Sequence, residues 1–93
     1  MATTTLQFQQ QGGEYVATYT SGGDSVVQLA RAAGGPIRVY AYIDGMTPIS
    51  VWGDYRSSQH TILKICVPAG VKVNISSDAE VTDAKLLTAE GGA

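Results

Sequence analysis

Apolar and polar positions alternate along most of this chain in short bursts, each ended by Gly, Pro, Asp or Ser. Half-buried strands produce that pattern. Leu6 and Phe8 alternate with Gln7 and Gln9, and QGG at 11–13 ends the run. In EYVATYT (14–20), Tyr15, Ala17 and Tyr19 share one face, and Val16, Thr18 and Thr20 share the other. SGGD (21–24) supplies the residues that a tight hairpin connection favours. In PIRVYAYIDG (36–45), Ile37, Val39, Ala41 and Ile43 form a core face, with Arg38, Tyr40 and Tyr42 opposite. DGMTP makes a turn, ISVWGD (49–54) reads as a strand, and YRSSQ (55–59) reads as a loop.

TILKICV (61–67) is apolar enough to be covered on both faces, and PAG turns it into VKVNIS (71–76). There Val71, Val73 and Ile75 alternate with Lys72, Asn74 and Ser76; SDAE bends the chain and VTDAKLL (81–87) closes the set. One segment reads two ways. In DSVVQLARAAGG (24–35), Val26, Leu29, Ala30 and Ala33 fall at helical spacing, while Val27 and Leu29 against Val26 and Gln28 fit a strand. The strand is favoured, because a hairpin signal precedes it and a strand follows GGP.

Seven or eight strands at intervals of about 8–12 residues predict an all-β fold, a single small antiparallel β-sandwich or jelly-roll-like domain. The 93 residues fit one domain, 1–93, with 1–11 as an N-terminal arm or edge strand. Such a sheet must protect its edges, and these strands carry few of the Lys and Pro residues that do so.

Composition narrows the function classes. Six basic against eight acidic residues give a formal net charge of −2, which argues against a nucleic-acid surface, since that needs clustered Lys and Arg. Charged residues are 15% of the chain, below the usual quarter or so, and Thr, Ser, Gln and Gly take their place. Those residues cost less to desolvate than full charges and suit surfaces that become covered. One Cys excludes an internal disulfide, and one Cys with one His cannot build a four-ligand zinc site. The start, MATTTLQFQQQ, lacks the basic and apolar regions of a secretory signal. No run approaches the roughly 20 apolar residues of a membrane span. The expectation is therefore a cytoplasmic product with no membrane partner.

Candidate chemistry is sparse. The acids Glu14, Asp24, Asp44, Asp54, Asp78, Glu80, Asp83 and Glu90 fall mostly in turns, where capping and solvation explain them. Cys66 and His60 can be drawn as a nucleophile pair. A lone Cys in an apolar strand is usually a small hydrophobe, and His60 sits in a loop. The glycine pairs at 12–13, 22–23 and 34–35 lie between strands, not between a strand and a helix as a phosphate loop requires. No catalytic residue, cofactor or metal site is expected.

The outward face of 37–43 is more informative. Arg38, Tyr40 and Tyr42 project from it, and Trp52 joins them if it shares the side of Ser50. Tyr, Trp and Arg dominate interface hot spots. The rings either cover an open side of the sandwich, make a subunit contact, or stack on a sugar ring.

The polar start TTTLQFQQ, with VPAGVKVNIS followed by AEVTDAKLL near the end, resembles small β-sandwich virion proteins of tailed phages: capsid decoration (auxiliary) and head-fibre modules. The PAG turn and the closing Thr-Asp-Ala-Lys run also occur in carbohydrate-binding jelly rolls. The resemblance implies a non-enzymatic capsid component repeated around a symmetry axis. The expected function is thus a structural protein that associates with copies of itself and with a larger lattice. Its contacts would be Arg38, Tyr40, Tyr42 and Trp52, together with Leu6 and Phe8 on a segment, Thr3–Gln10, that pairs with a neighbour's edge. The alternative is a carbohydrate-binding or fibre-associated module that uses the same aromatic face.

Overall fold

Alternating runs bury one face only if a second layer covers it, and here two sheets cover each other. A computed structural model describes residues 2–88, with backbone alone at 2, 54–57 and 88; Glu90 lies outside them. The strands are β1 (Ala2–Thr5), β2 (Gln9–Gln11), β3 (Glu14–Thr20), β4 (Ser25–Arg31), β5 (Gly35–Tyr42), β6 (Ile49–Ser57), β7 (His60–Ile65), β8 (Lys72–Ser77) and β9 (Val81–Thr88). All pairings are antiparallel, in a four-stranded sheet β1-β9-β4-β7 and a five-stranded sheet β2-β3-β8-β5-β6. The all-β expectation holds.

The partners β1 with β9, β3 with β8, β4 with β7 and β5 with β6 nest one inside the next. The chain is therefore one long two-stranded ribbon, bent back on itself and wound into two layers, as in a jelly roll. Its tip is the turn at 43–48, and β2 is an addition at the rim.

Alternation fixes what each strand buries. Val27, Leu29, Leu63, Ile65, Ala84 and Leu86 face inward from the four-stranded sheet, and Ala17, Ile37, Val39, Ala41, Val73 and Ile75 face them from the other. Each large aliphatic side chain taken fully out of water contributes about 1.5–3 kcal/mol before chain entropy is counted. Tyr19 packs on the core, and its hydroxyl shares a hydrogen bond with Ser25 Oγ at 3.4 Å across the gap. Burial pushes the Tyr19 pKa up.

The ambiguous segment 24–35 is a strand over 25–31. Its inner positions, Ser25, Val27, Leu29 and Arg31, are buried, and β9 and β7 pair with it on either side. The fourth inner position carries a charge. Arg31 is 1% exposed; its Nη2 donates to Ser58 O at 2.8 Å and Gly35 O at 3.2 Å, and its Nη1 donates to Ser77 Oγ at 3.0 Å. One guanidinium thus gathers two chain corners and β8. Its burial lowers the Arg31 pKa, against the opposing charge of Asp78.

Several expectations need correction. The predicted N-terminal strand at 6–9 is instead a crossing: β1 pairs with β9, residues 6–8 step between layers, and β2 pairs with β3. SGGD and GGP are corners between sheets, because β3 and β4 lie in different layers, as do β4 and β5. A two-residue hairpin turn occurs at Gly12 (φ 57°) and Gly13 (φ 89°), where both residues take the left-handed backbone that glycine tolerates. The segment read as the loop YRSSQ begins as strand, since β6 runs to Ser57. TILKICV is covered on one face only: Leu63, Ile65 and Val67 are buried, while Ile62, Lys64 and Cys66 are exposed. β7 is an edge strand, and its outer side is exposed among the described residues. Ile43, expected in the core, lies beyond the end of β5 and is 68% exposed.

Candidate functional site

The register of the five-stranded sheet assembles its outer face in rows. Arg38 on β5 sits opposite Ser76 on β8, which sits opposite Val16 on β3. One row along, Tyr40, Asn74 and Thr18 are neighbours, with Ser50 on the far side of Tyr40. The next row holds Tyr42, Lys72 and Thr20. The polar face of VKVNIS is thereby inserted between the aromatic column of β5 and the threonines of β3.

Electrostatics orders this face. The Arg38 guanidinium lies 3.4 Å from Glu14 Oε1 and 3.5 Å from Asp78 Oδ1. Glu14 Oε1 also accepts from Ser76 Oγ at 3.2 Å. Lys72 Nζ stands 5.0 Å from the centre of the Tyr42 ring, within cation–π range. Asn74 Nδ2 donates to Thr18 Oγ1 at 3.2 Å. Tyr40 and Tyr42 are half-buried by these neighbours, and a shallow trough of about 530 Å³ runs past them, rimmed by Gln11 and Pro48. The floor is broad, flat and rich in donors and acceptors. Chemically it can stack a planar or apolar group and bond its edges.

Of the six residues predicted to make contacts, Arg38, Tyr40 and Tyr42 come together on this face and the other three do not. Trp52 pairs with Val39, an inner position, and packs against the core. Ser50 pairs with Tyr40, an outer position, because the register shifts between Val39 and Tyr40. Val51 is the extra residue of that bulge, and it breaks the alternation that would have put Trp52 beside Ser50. Leu6 is 9% exposed and its N–H donates to Ala84 O at 2.9 Å, while Phe8 packs against the core. Both anchor the N-terminal crossing inside their own sandwich.

Sequence reasoning missed Glu14, Asp78, Lys72 and Asn74 as parts of this face. Lys72 and Asn74 lie on an alternating polar face that was visible, but only the pairing of β8 between β3 and β5 reveals which neighbours it meets. The turn DGMTP is also more than a connector. Asp44 Oδ1 accepts from the N–H groups of Met46 (2.9 Å) and Thr47 (2.7 Å), and these bonds lower its pKa to about 2.

The candidate nucleophile pair is not assembled. His60 opens β7 and Cys66 follows its last residue, roughly 20 Å apart at 3.3 Å per residue. Among the described residues, no three His, Cys, Asp or Glu side chains are grouped to hold a metal ion, and no helix is long and apolar enough to cross a membrane. Compared with family models, curated proteins and solved structures, the chain matches none.

Proposed function

We propose that the chain is a non-enzymatic assembly protein of a virion, a capsid decoration (auxiliary) subunit that associates with its own copies and reinforces a protein lattice. One observation carries the reading: the column Arg38, Tyr40, Tyr42 stands half-buried among its neighbours and lies open along the trough. Arg38 between two carboxylates and Tyr42 beneath Lys72 lose less side-chain freedom on docking than free side chains would, and Arg and Tyr are the residue types that dominate hot spots. Docked across a joint between lattice subunits, the face adds buried area that must be re-exposed before the joint opens.

The test is rebinding to capsids stripped of the chain. Wild-type protein is expected to restore full occupancy and raise the temperature at which the capsid opens. Tyr40→Ala and Arg38→Ala should each weaken rebinding by about 2 kcal/mol or more, the loss typical of a hot-spot truncation. Wild-type protein that fails to bind capsids, with no immunogold label on native particles, would defeat the proposal.

A second reading rests on the same trough. The Tyr40 and Tyr42 rings next to Asn74, Ser76 and Glu14 combine a stacking surface with edge donors and acceptors, the chemistry that a sugar ring uses. Saturable signal on a glycan array, abolished in Tyr42→Ala, would favour a carbohydrate-binding or fibre-associated module.

A further inference from the structure

Among the described residues, the exposed large apolar side chains fall in two places. Ile43 (68% exposed), Met46 (84%), Ile49 (50%) and Val51 (39%) all belong to the β5–β6 hairpin, and Ile62 (65%) stands on the outer face of the four-stranded sheet. The hairpin tip is a fixed knob: the Asp44 carboxylate ties down the N–H groups of Met46 and Thr47, and Gly45 N–H donates to Tyr42 O at 3.1 Å. Its charge is negative, because Asp44 is ionised in ordinary buffers and no Lys or Arg occurs from Ile43 to Trp52.

The outer face of the four-stranded sheet has the complementary character. Its register places Leu87, Val26 and Lys64 in one row, and Lys85, Gln28 and Ile62 in the next. Leu87, Val26 and Ile62 thus form an apolar diagonal bracketed by two lysines. They line a depression of about 310 Å³. Lys85 also contacts Asp83 (3.4 Å) and Thr5 (3.0 Å), whereas Lys64 stands exposed at the edge strand.

We propose that this depression is a socket for the hairpin tip of a second copy of the chain, with Met46 and Ile43 seated on Val26, Ile62 and Leu87 and with Asp44 facing Lys64 or Lys85. The occupant is another copy because the acidic, apolar tip matches the apolar, lysine-bracketed socket, and the socket faces away from the five-stranded sheet that carries the tip, so a chain cannot fill its own. The contact is heterologous: each copy offers one tip and one socket. Repetition therefore closes a ring or grows a file. The inference rests on the reading of the chain as self-associating, and names the surfaces that do it.

Sedimentation velocity on the purified full chain, from low to high micromolar, tests it. Wild-type protein is expected to associate. Met46→Asp spoils the tip and Ile62→Asp spoils the socket, and each alone should sediment as a monomer. Mixed in equal amounts, the two should form a dimer and nothing larger, since one intact tip meets one intact socket. That complementation also shows both variants to be folded. Asp44→Lys should weaken association about tenfold or more, and Lys64→Glu in the same chain should recover part of it. A wild-type monomer throughout overturns the inference, and so does a mixture that yields no dimer. Flotation with phosphatidylcholine vesicles, lost in Met46→Asp and unaccompanied by self-association, would assign the tip to a bilayer and overturn it too. Lattice rebinding uses Arg38 and Tyr40 variants on the other face, so failure of the tip and socket is distinguishable from failure of lattice binding.

Discussion

Arg31 on β4 donates to the hydroxyl of Ser77 on β8 at 3.0 Å, so a charged side chain ties the two sheets together where aliphatic packing ends. Ser77 Oγ in turn donates to Ala79 O at 2.9 Å, and Ser58 and Gly35 offer their carbonyls to the same guanidinium. The corner is organised around one residue.

Removing it should be costly. Arg31→Met keeps the apolar stem but leaves buried acceptors without their donors. We expect a loss of about 3–5 kcal/mol, read as a shift of the urea midpoint. Arg31→Lys should retain the charge but lose the two-nitrogen fork and recover only part of the stability. A midpoint within experimental error of wild type would show that this corner does not hold the sheets.

Trp52 and Tyr40 should separate stability from binding. Trp52 is part-buried against the core, so Trp52→Ala is expected to cost about 2 kcal/mol in folding. Half-buried Tyr40 on the outer face should cost much less in folding while losing lattice binding. Denaturant melts and capsid rebinding on the two variants check the contrast, which an outward-facing Trp52 would reverse.

Arg38 makes two ion pairs, with side chains 36% exposed for Arg38 and 45% and 48% for Glu14 and Asp78. Water screens such pairs. Arg38→Ala should therefore change folding stability by at most about 1 kcal/mol, and added salt should shrink even that difference. A large, salt-independent loss would mean that the pairs are part of the core.

Asp44 gives a pH signature. Its folded pKa, about 2, lies below the ordinary 3.8. The bonds to Met46 and Thr47 therefore favour the folded turn fully above 3.8, and that contribution is lost as pH falls through about 2. The Met46 and Thr47 amide resonances should titrate together with a midpoint near the folded value. In Asp44→Ala this titration should vanish, and both amides should exchange faster with solvent at neutral pH.

Much of this architecture was legible in the chain. The inner and outer faces of β3, β5 and β8 follow directly from alternation, because each strand is long enough to repeat its period several times. Alternation failed where one residue shifted the phase: the bulge at Val51 carried Trp52 to the inside, and no sequence period encodes that. The crossing at Leu6 was also hidden, since a residue that steps between layers and one in a strand both read as apolar after polar. Nothing in the sequence marks Arg31 as buried, because the carbonyls that it serves belong to Gly35 and Ser58, 4 and 27 residues away. The aromatic column of the site was readable, but its clamps were not. Glu14 and Asp78 are 24 and 40 residues from Arg38, and pairing, not proximity along the chain, brings them there.

The wound ribbon also dictates a sequence of events in time. Joining β5 to β6 closes a short loop, whereas joining β1 to β9 closes nearly the whole chain, so the entropy to be overcome grows outward from the tip. Pulse-labelled exchange during refolding should find the β5 and β6 amides protected first and those of β1 last. On the ribosome, β1 emerges long before its partner β9 and must wait for it, and its threonines carry hydroxyls that water can satisfy in the interval.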